Sequence, residues 1–188
     1  MFGKLKRLCP VQRHELEHLI RAAGAITGAE EIIVIGSQAI LGSLPDAPFL
    51  LLRSSEADLF TRRDPADADL IDGSIGEGSP FHDTFGYYAQ GVWSDTAVLP
   101  AGWEERLVAI RNDNTRGVTA LCLDLHDLAV AKLVAGREKD ADFLKEMILH
   151  GLIDREVMKS RINLLGPGVG EGADIEARWL RLEKQVSG

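Results

Sequence analysis

The stretch Glu31-Ile-Ile-Val-Ile-Gly36-Ser37-Gln-Ala-Ile-Leu decides the fold, because a short apolar run leads directly into a glycine-serine turn. A β-branched run of this length, apolar at successive positions, is typical of a strand whose two faces are both covered. Gly36 ends the run, and Ser37 is a favourable N-cap for a helix over the residues that follow. We therefore predict a buried strand, a tight turn and a helix, in the manner of an α/β protein.

A second strand is expected near residues 56–60, where two acidic side chains are separated by one residue. Alternate residues of a strand point to the same face, so Glu56 and Asp58 can converge on one hard cation. Oxygen ligands suit Mg²⁺, or Mn²⁺ in its place; Mg²⁺ commonly takes one or two carboxylates and substrate phosphates. Gly36 would let a phosphate approach the backbone, where amides and the Ser37 hydroxyl would bind it. Together the two motifs predict a cation and phosphate site.

The rest of the chain alternates between helix and strand signals. A first helix is predicted at residues 11–23, closed by Gly24 and Gly28, and two more within 125–149 that meet at Gly136. A flexible linker is expected at 166–172. The last helix, at 173–185, is expected to dock on the body through Trp179 and Leu182. Strand character is found at residues 85–93, 96–99 and 117–123, a helical turn and a strand within 103–111, and loop or short helix within 61–79. We accordingly divide the chain into an α/β core at 1–123 and a helical part at 124–188.

Composition limits the class of protein. The 188 residues, 45% of them hydrophobic, are enough for one globular domain with a small appendage. No apolar stretch reaches the roughly 18 residues that a transmembrane helix needs, so we expect no membrane partner and a cytoplasmic location. Cys9 and Cys122 lie far apart and form no zinc motif, which predicts two buried thiols. A net charge of -8 argues against general coating of nucleic acid, although a local basic pocket remains compatible with it.

Four segments carry a resemblance to a known family. They are Ile-Gly-Ser-Gln-Ala-Ile-Leu-Gly (residues 35–42), Ser-Glu-Ala-Asp-Leu (55–59), Leu-Pro-Ala-Gly-Trp-Glu-Glu-Arg-Leu (99–107) and Asp-Leu-Ala-Val-Ala-Lys-Leu-Val-Ala-Gly-Arg-Glu-Lys-Asp (127–140). With them the chain, from about residue 30 to residue 155, resembles the DUF6036 family, which is similar to the AbiEii/MenT-type nucleotidyltransferase toxins of the polymerase-β-like superfamily. The resemblance implies a polymerase-β-type mixed sheet flanked by helices, with a helical C-terminal part.

The resemblance also implies a role for each matching residue. It assigns nucleotide binding to Gly36, Ser37, Lys132 and Arg137, catalysis to Lys132 and Asp140, and metal binding to Glu56 and Asp58, with Lys139 as a further basic neighbour. The implied reaction is metal-dependent transfer of a nucleotidyl group from an NTP to an RNA acceptor, such as tRNA, or to a protein. A toxin-like role and a cognate antitoxin would accompany it.

Two departures from the family pattern define an alternative. Glu56 stands where the usual residue is Asp, which moves the carboxylate about one carbon–carbon bond farther from the backbone. The candidate strand for a third carboxylate reads Tyr87-Tyr-Ala-Gln90-Gly, and Gln90 cannot act as a general base. These residues favour a degenerate fold that binds a nucleotide or a partner protein without catalysis, whereas Lys132 and Asp140 favour an enzyme.

Three further groups of residues are weaker candidates for a functional site. His14-Glu-Leu-Glu-His18 has the spacing of a zinc hydrolase, but no third-ligand segment is evident, and an exposed helix face is the preferred interpretation. The glycine-rich residues 73–79 match no nucleotide-binding loop and are expected to form a flexible loop near the pocket. The acids and histidine that could replace the missing carboxylate from there are Glu77, His82 and Asp83. Asp124 and Asp127 are expected to cap a helix, and Trp103 to anchor the fold.

Overall fold

A computed structural model describes residues 10–169 and 172–187 of the chain. The prediction for Cys9 and part of the predicted linker at 166–172 lie outside the described residues. Cys122 is fully buried, as expected. No helix within the described part of the chain is both long and apolar enough to cross a bilayer.

A five-stranded mixed sheet forms the centre of the molecule. Its strands, in the order β3-β2-β1-β5-β4, are β1 (Glu31–Ile35), β2 (Glu56–Phe60), β3 (Tyr88–Gly91), β4 (Val108–Ile110) and β5 (Thr119–Cys122). The central strand β1 is antiparallel to β2 and parallel to β5, while β2 and β3 are parallel and β4 and β5 are antiparallel. The predicted mixed sheet flanked by helices is confirmed.

Eight α-helices surround the sheet in the described residues. They are α1 (Arg13–Thr27), α2 (Ile40–Ser43), α3 (Asp67–Ile75), α4 (Pro80–Phe85), α5 (Leu125–Ala135), α6 (Glu138–Leu149), α7 (Arg155–Ile162) and α8 (Gly172–Ser187). Single turns of 3-10 helix occur at Ser37–Ala39, Phe49–Leu51, Trp103–Arg106 and Asp113–Thr115. Many short helical segments therefore connect the strands, and the ends of these segments place polar groups at the surface of the sheet.

The first helix, Arg13–Thr27, begins and ends later than the predicted 11–23, and of its two predicted closing glycines only Gly28 ends it. It begins after Gln12, whose backbone N–H donates to Glu15 in a capping box, and it ends at Gly28 in the left-handed conformation. Gly24 does not close it, because this glycine lies inside the helix, where a side chain would overlap Val118. A strip of apolar residues at helical spacing packs the helix on the core: Leu16, Leu19, Ile20 and Ala23.

Two local predictions were wrong, and two short helices were not predicted. The residues 96–99 form no strand, because the Thr96 amide and hydroxyl both turn back to Trp93. Residues 73–75 belong to α3 instead of a loop, and the turn after them leads into α4, with Ser79 as its N-cap and Pro80 at its first position. Helices α4 and α7 were both missed, since six and eight residues are too few for a clear apolar period.

Helices α5, α6 and α8 follow the prediction closely. Gly136, with φ 63°, separates α5 from α6, and Trp179 and Leu182 of α8 are buried. Arg178 of α8 donates to the backbone oxygen of Leu133 at 2.7 Å, which satisfies a carbonyl at the end of α5. The terminal helix is thus fastened to the body by apolar and polar contacts together.

A buried ion cluster joins two of the segments that carry the family resemblance, 99–107 and 127–140. Asp124 caps α5 as predicted, but Asp127 instead faces inward and is 0% exposed. Its carboxylate accepts from Arg106 at 2.8 and 3.0 Å, and Arg161 of α7 lies 3.3 Å from it. Trp103, on the same 3-10 turn as Arg106, packs against the core as predicted. This cluster ties the turn before β4 to helices α5 and α7.

Candidate active site

One open cleft of about 1080 Å³ contains every site residue that the family resemblance implied. It lies at the ends of β1 and β2 and is covered on its other side by α5 and α6. The predicted residues on its wall are Gly36, Ser37, Glu56, Asp58, Lys132, Arg137 and Asp140. Side chains from residues 36–58 and 132–140 therefore share one space, although the stretches lie far apart in sequence.

Gly36 sets the position of one acid. Ile35 pairs with Asp58 across the antiparallel strands, so the turn that follows β1 passes directly over the Asp58 side chain. Gly36 has φ 71° and ψ -169°, a conformation essentially restricted to glycine. A methyl group in this position would overlap the Oδ2 atom of Asp58. The glycine therefore makes room for the carboxylate as well as for an approaching ligand.

Ser37 does not act as the N-cap that the sequence suggested. Gly36 occupies the cap position, and Ser37 is the first residue of the 3-10 turn, with no capping hydrogen bond from a side chain. The Ser37 hydroxyl instead accepts from Lys132 Nζ at 3.0 Å. Lys132 offers an ammonium group to this hydroxyl, whereas a cap would offer it a backbone amide. A charge-assisted hydrogen bond is stronger than a neutral one.

Lys132 is almost fully buried, with 6% of its surface exposed. Its Nζ lies 3.1 Å from Asp140 Oδ1 and 4.4 Å from the centre of the Phe143 ring. Burial lowers the pKa of Lys132 below its ordinary value, although Asp140 opposes this effect. The ammonium group is therefore held in one place between the Gly36-Ser37 turn and α6.

Asp140 is 0% exposed and has both oxygens occupied. It accepts from Lys132 and from Arg137, whose Nε lies 2.6 Å from Oδ2. Burial alone would raise the pKa of Asp140, but the hydrogen bond from Arg137 and the charge of Lys132 hold that pKa below its ordinary value. Asp140 is thus ionised, and it orients the positively charged side chains of Lys132 and Arg137 toward the cleft.

Glu56 and Asp58 face the cleft from the same side of β2, as predicted. Burial, and then the neighbouring charge of Glu56, raise the pKa of Asp58 to about 7. Two carboxylates this close repel each other, and a divalent cation would relieve that repulsion. The described residues contain no group of three or more potential protein ligands. The donor set therefore fits Mg²⁺ or Mn²⁺ completed by phosphate oxygens, and not a structural zinc ion.

As the sequence indicated, no acidic residue occupies the third carboxylate position on β3. Gln90 of β3 pairs with Asp58 and lines the cleft, so an amide occupies that position. None of the three candidates for replacing it lines the cleft. Glu77 and Asp83 are exposed elsewhere, and His82 is buried against the ring of Tyr88.

Several residues in or next to the cleft were not anticipated. Tyr88 donates a hydrogen bond to Glu56 at 2.8 Å, a contact between residues 32 positions apart that has no local signal. Arg53 and Lys145 join the predicted Lys139 on the wall of the cleft. Arg53 belongs to the polar patch before β2, and an unbroken polar patch beside a predicted strand is the signal that could have identified it.

The His-Glu-Leu-Glu-His segment forms no metal site. His14 is exposed, while Glu15 is used by the capping box of α1. His18 is half-buried, with Nδ1 2.8 Å from the Tyr87 hydroxyl and its ring against Phe81 and Phe85. The zinc-hydrolase alternative therefore lacks a converging ligand set.

The raised pKa of Asp58 predicts an unusual dependence of stability on pH. A carboxyl group that binds its proton more tightly when folded stabilises the protein at low pH, and this stabilisation is lost as pH rises through about 7. In EDTA at pH 8, Asp58→Asn should therefore be more stable than the wild type, with a gain bounded at roughly 4 kcal/mol by the change from 3.8 to about 7. The gain should shrink toward pH 4.

Urea unfolding at several pH values measures this effect. Added Mg²⁺ should raise the stability of the wild type at pH 8 and leave the variant unchanged. A wild type that is more stable than Asp58→Asn at pH 8 without a divalent cation would contradict a raised pKa for Asp58.

The architecture and a family match together identify the class of protein. The mixed five-stranded sheet flanked by helices is consistent with a nucleotidyltransferase-like fold. Residues 14–167 match the model of a family described as nucleotidyltransferase of unknown function (DUF6036), and the chain belongs to this family. No match was found among curated proteins or among solved structures.

Proposed function

We propose that this protein transfers a nucleotidyl group from an NTP to an acceptor in a reaction that depends on Mg²⁺ or Mn²⁺. The observation that carries the proposal is the meeting of two oppositely charged groups across one cleft. Glu56 and Asp58 lie on the sheet side. Lys132 lies on the helix side, where it contacts Asp140, and it also contacts Ser37 in the turn after β1. Phosphoryl chemistry requires positioning and neutralisation of charge more than covalent participation, and this arrangement supplies both.

Each residue has a role in the proposal. Lys132, Arg137 and the Ser37 hydroxyl would bind the phosphates, and Gly36 would let them reach the backbone amides. Asp140 would keep the side chains of Lys132 and Arg137 directed into the cleft. Glu56 and Asp58 would hold the divalent cation, which when bound neutralises the charge on the reacting phosphates.

The proposed acceptor is an RNA, such as tRNA, or a protein. Arg53, Lys139 and Lys145 on the cleft wall give the otherwise acidic chain local positive charge, which supports a phosphate-bearing acceptor. The resemblance to AbiEii/MenT-type toxins extends the proposal to a toxin-like role with a cognate antitoxin. Such a protein would act in the cytoplasm, where NTPs and tRNA are found.

Gln90 supports a second candidate function. An amide in the position of the third carboxylate leaves only a neutral oxygen as a possible cation ligand and removes a base from the site. The same fold would then bind a nucleotide or a partner protein without catalysis. Nucleotide binding without transfer is the observation that separates this candidate from the first.

Incubation with each labelled NTP, Mg²⁺ or Mn²⁺, total tRNA and a protein extract tests the proposal. The wild type should label an acceptor, and Asp58→Asn should reduce labelling at least about 100-fold, because it removes a charged cation ligand. Asp142→Asn is the matched control, since Asp142 is an exposed acid of the same cleft. Absence both of transfer and of cation-dependent nucleotide binding by calorimetry would contradict the first candidate function and the nucleotide-binding form of the second.

A further inference from the structure

Tyr88 lies directly behind one of the two cleft acids. It pairs with Glu56 across the parallel strands β2 and β3. Its hydroxyl donates to Glu56 Oε2 at 2.8 Å. The hydrogen bond thus holds one oxygen of a carboxylate that lines the cleft.

The Tyr88 hydroxyl has one hydrogen to donate. A phenol can donate only one hydrogen bond, and here it is directed at a carboxylate. The Tyr88 hydroxyl is therefore committed as a donor to Glu56.

A buried histidine supports the Tyr88 ring. The centres of the His82 and Tyr88 rings are 4.6 Å apart, and His82 is 8% exposed. His82 Nδ1 accepts from the Gly78 amide at 3.0 Å, and the His82 amide donates to Ser79 at 3.2 Å. The glycine-rich turn between α3 and α4 thus orients a ring that in turn limits the movement of Tyr88.

The support answers a specific weakness of Glu56. A glutamate has one more rotatable bond than an aspartate, so its carboxylate loses more conformational freedom when it binds a cation. Asp58 is restrained differently, by the Gly36 turn that passes over it. Without a partner, Glu56 would be the less ordered of the two acids.

We propose that Tyr88 is a positioning residue that holds the Glu56 carboxylate for the divalent cation, so that a glutamate replaces the usual aspartate. The inference rests on the proposed function, because it presupposes a cation at Glu56 and Asp58. It gives the turn at residues 76–79 a purpose, since that turn places His82 against the Tyr88 ring.

Mn²⁺ binding, measured by electron paramagnetic resonance and by calorimetry, tests the proposal. Tyr88→Phe should raise the Mn²⁺ Kd about 10-fold, because a hydrogen bond to a charged group is lost. Tyr87→Phe is the matched control and should leave the Kd unchanged, since its hydroxyl contacts His18 and not the cleft. Unfolding in EDTA reports any general loss of structure.

A double-mutant cycle removes the remaining ambiguity. In a Glu56→Asp background the shorter carboxylate should no longer depend on the phenol, so adding Tyr88→Phe should change the Mn²⁺ Kd less than about 2-fold. An unchanged Kd for Tyr88→Phe alone, or an equal loss in both backgrounds, would overturn the role of Tyr88 and leave the proposed function standing. A wild type that binds no Mn²⁺, with or without nucleotide, would overturn both.

Discussion

Gly36→Ala should destabilise the protein by at least about 3 kcal/mol and abolish cation and nucleotide binding, because it combines backbone strain with a steric overlap. The backbone at Gly36, with φ 71° and ψ -169°, is closed to alanine. The added methyl group would also displace the Asp58 carboxylate. Either the turn or the acid must move, and both belong to the cleft.

Gly28→Ala is the control that separates strain from overlap. Gly28 also has a positive φ, of 72°, but nothing lies within 4 Å of the position that a methyl group would take. Its replacement should cost only about 1 kcal/mol and leave ligand binding intact. Urea unfolding and calorimetry with Mg²⁺ and NTP would compare the two variants. Equal losses of stability with unchanged binding would show that Gly36 has no special relation to Asp58.

Asp127→Ala should cost about 3 to 5 kcal/mol, since it leaves the positive charges of two arginines without their shared partner. Asp127 is 0% exposed, and its carboxylate lies between Arg106 and Arg161. The effect should persist in 1 M salt, because a buried pair is screened far less than an exposed one. Chemical unfolding at low and high salt measures both expectations.

Asp142→Ala provides the matched comparison for the ion cluster. Asp142 is exposed and lies 3.6 Å from Lys145, so its removal should change the unfolding free energy by less than about 0.5 kcal/mol. Asp127 does not line the cleft. A loss for Asp127→Ala as small as that for Asp142→Ala would show that the cluster contributes little to stability.

The elements that the sequence predicted well are those with a local signal. The apolar run of β1, the acidic strand β2 and the helix pair joined at Gly136 each carry their period and their boundary within a few residues. The candidate site could be assembled only because family resemblance supplied Lys132, Arg137 and Asp140. Neither periodicity nor spacing connects these residues to the Gly36-Ser37 turn.

What could not be predicted depends on the register between strands and on partners distant in sequence. The contact between Tyr88 and Glu56 requires the alignment of β2 with β3, and the overlap between Gly36 and Asp58 requires the alignment of β1 with β2. A shift of one residue would point each side chain to the opposite face. Ser37 was misjudged for the same reason, since its partner Lys132 is 95 positions away.

The burial of Cys122 supplies a chemical readout for the stability experiments. Burial raises the pKa of the thiol to about 12, so it is neither ionised nor accessible to a thiol reagent while the core is closed. In a Cys9→Ser background, labelling by a thiol reagent would therefore count the openings of the core around β5 under native conditions. Gly36→Ala and Asp127→Ala could then be ranked by labelling rate without any denaturant.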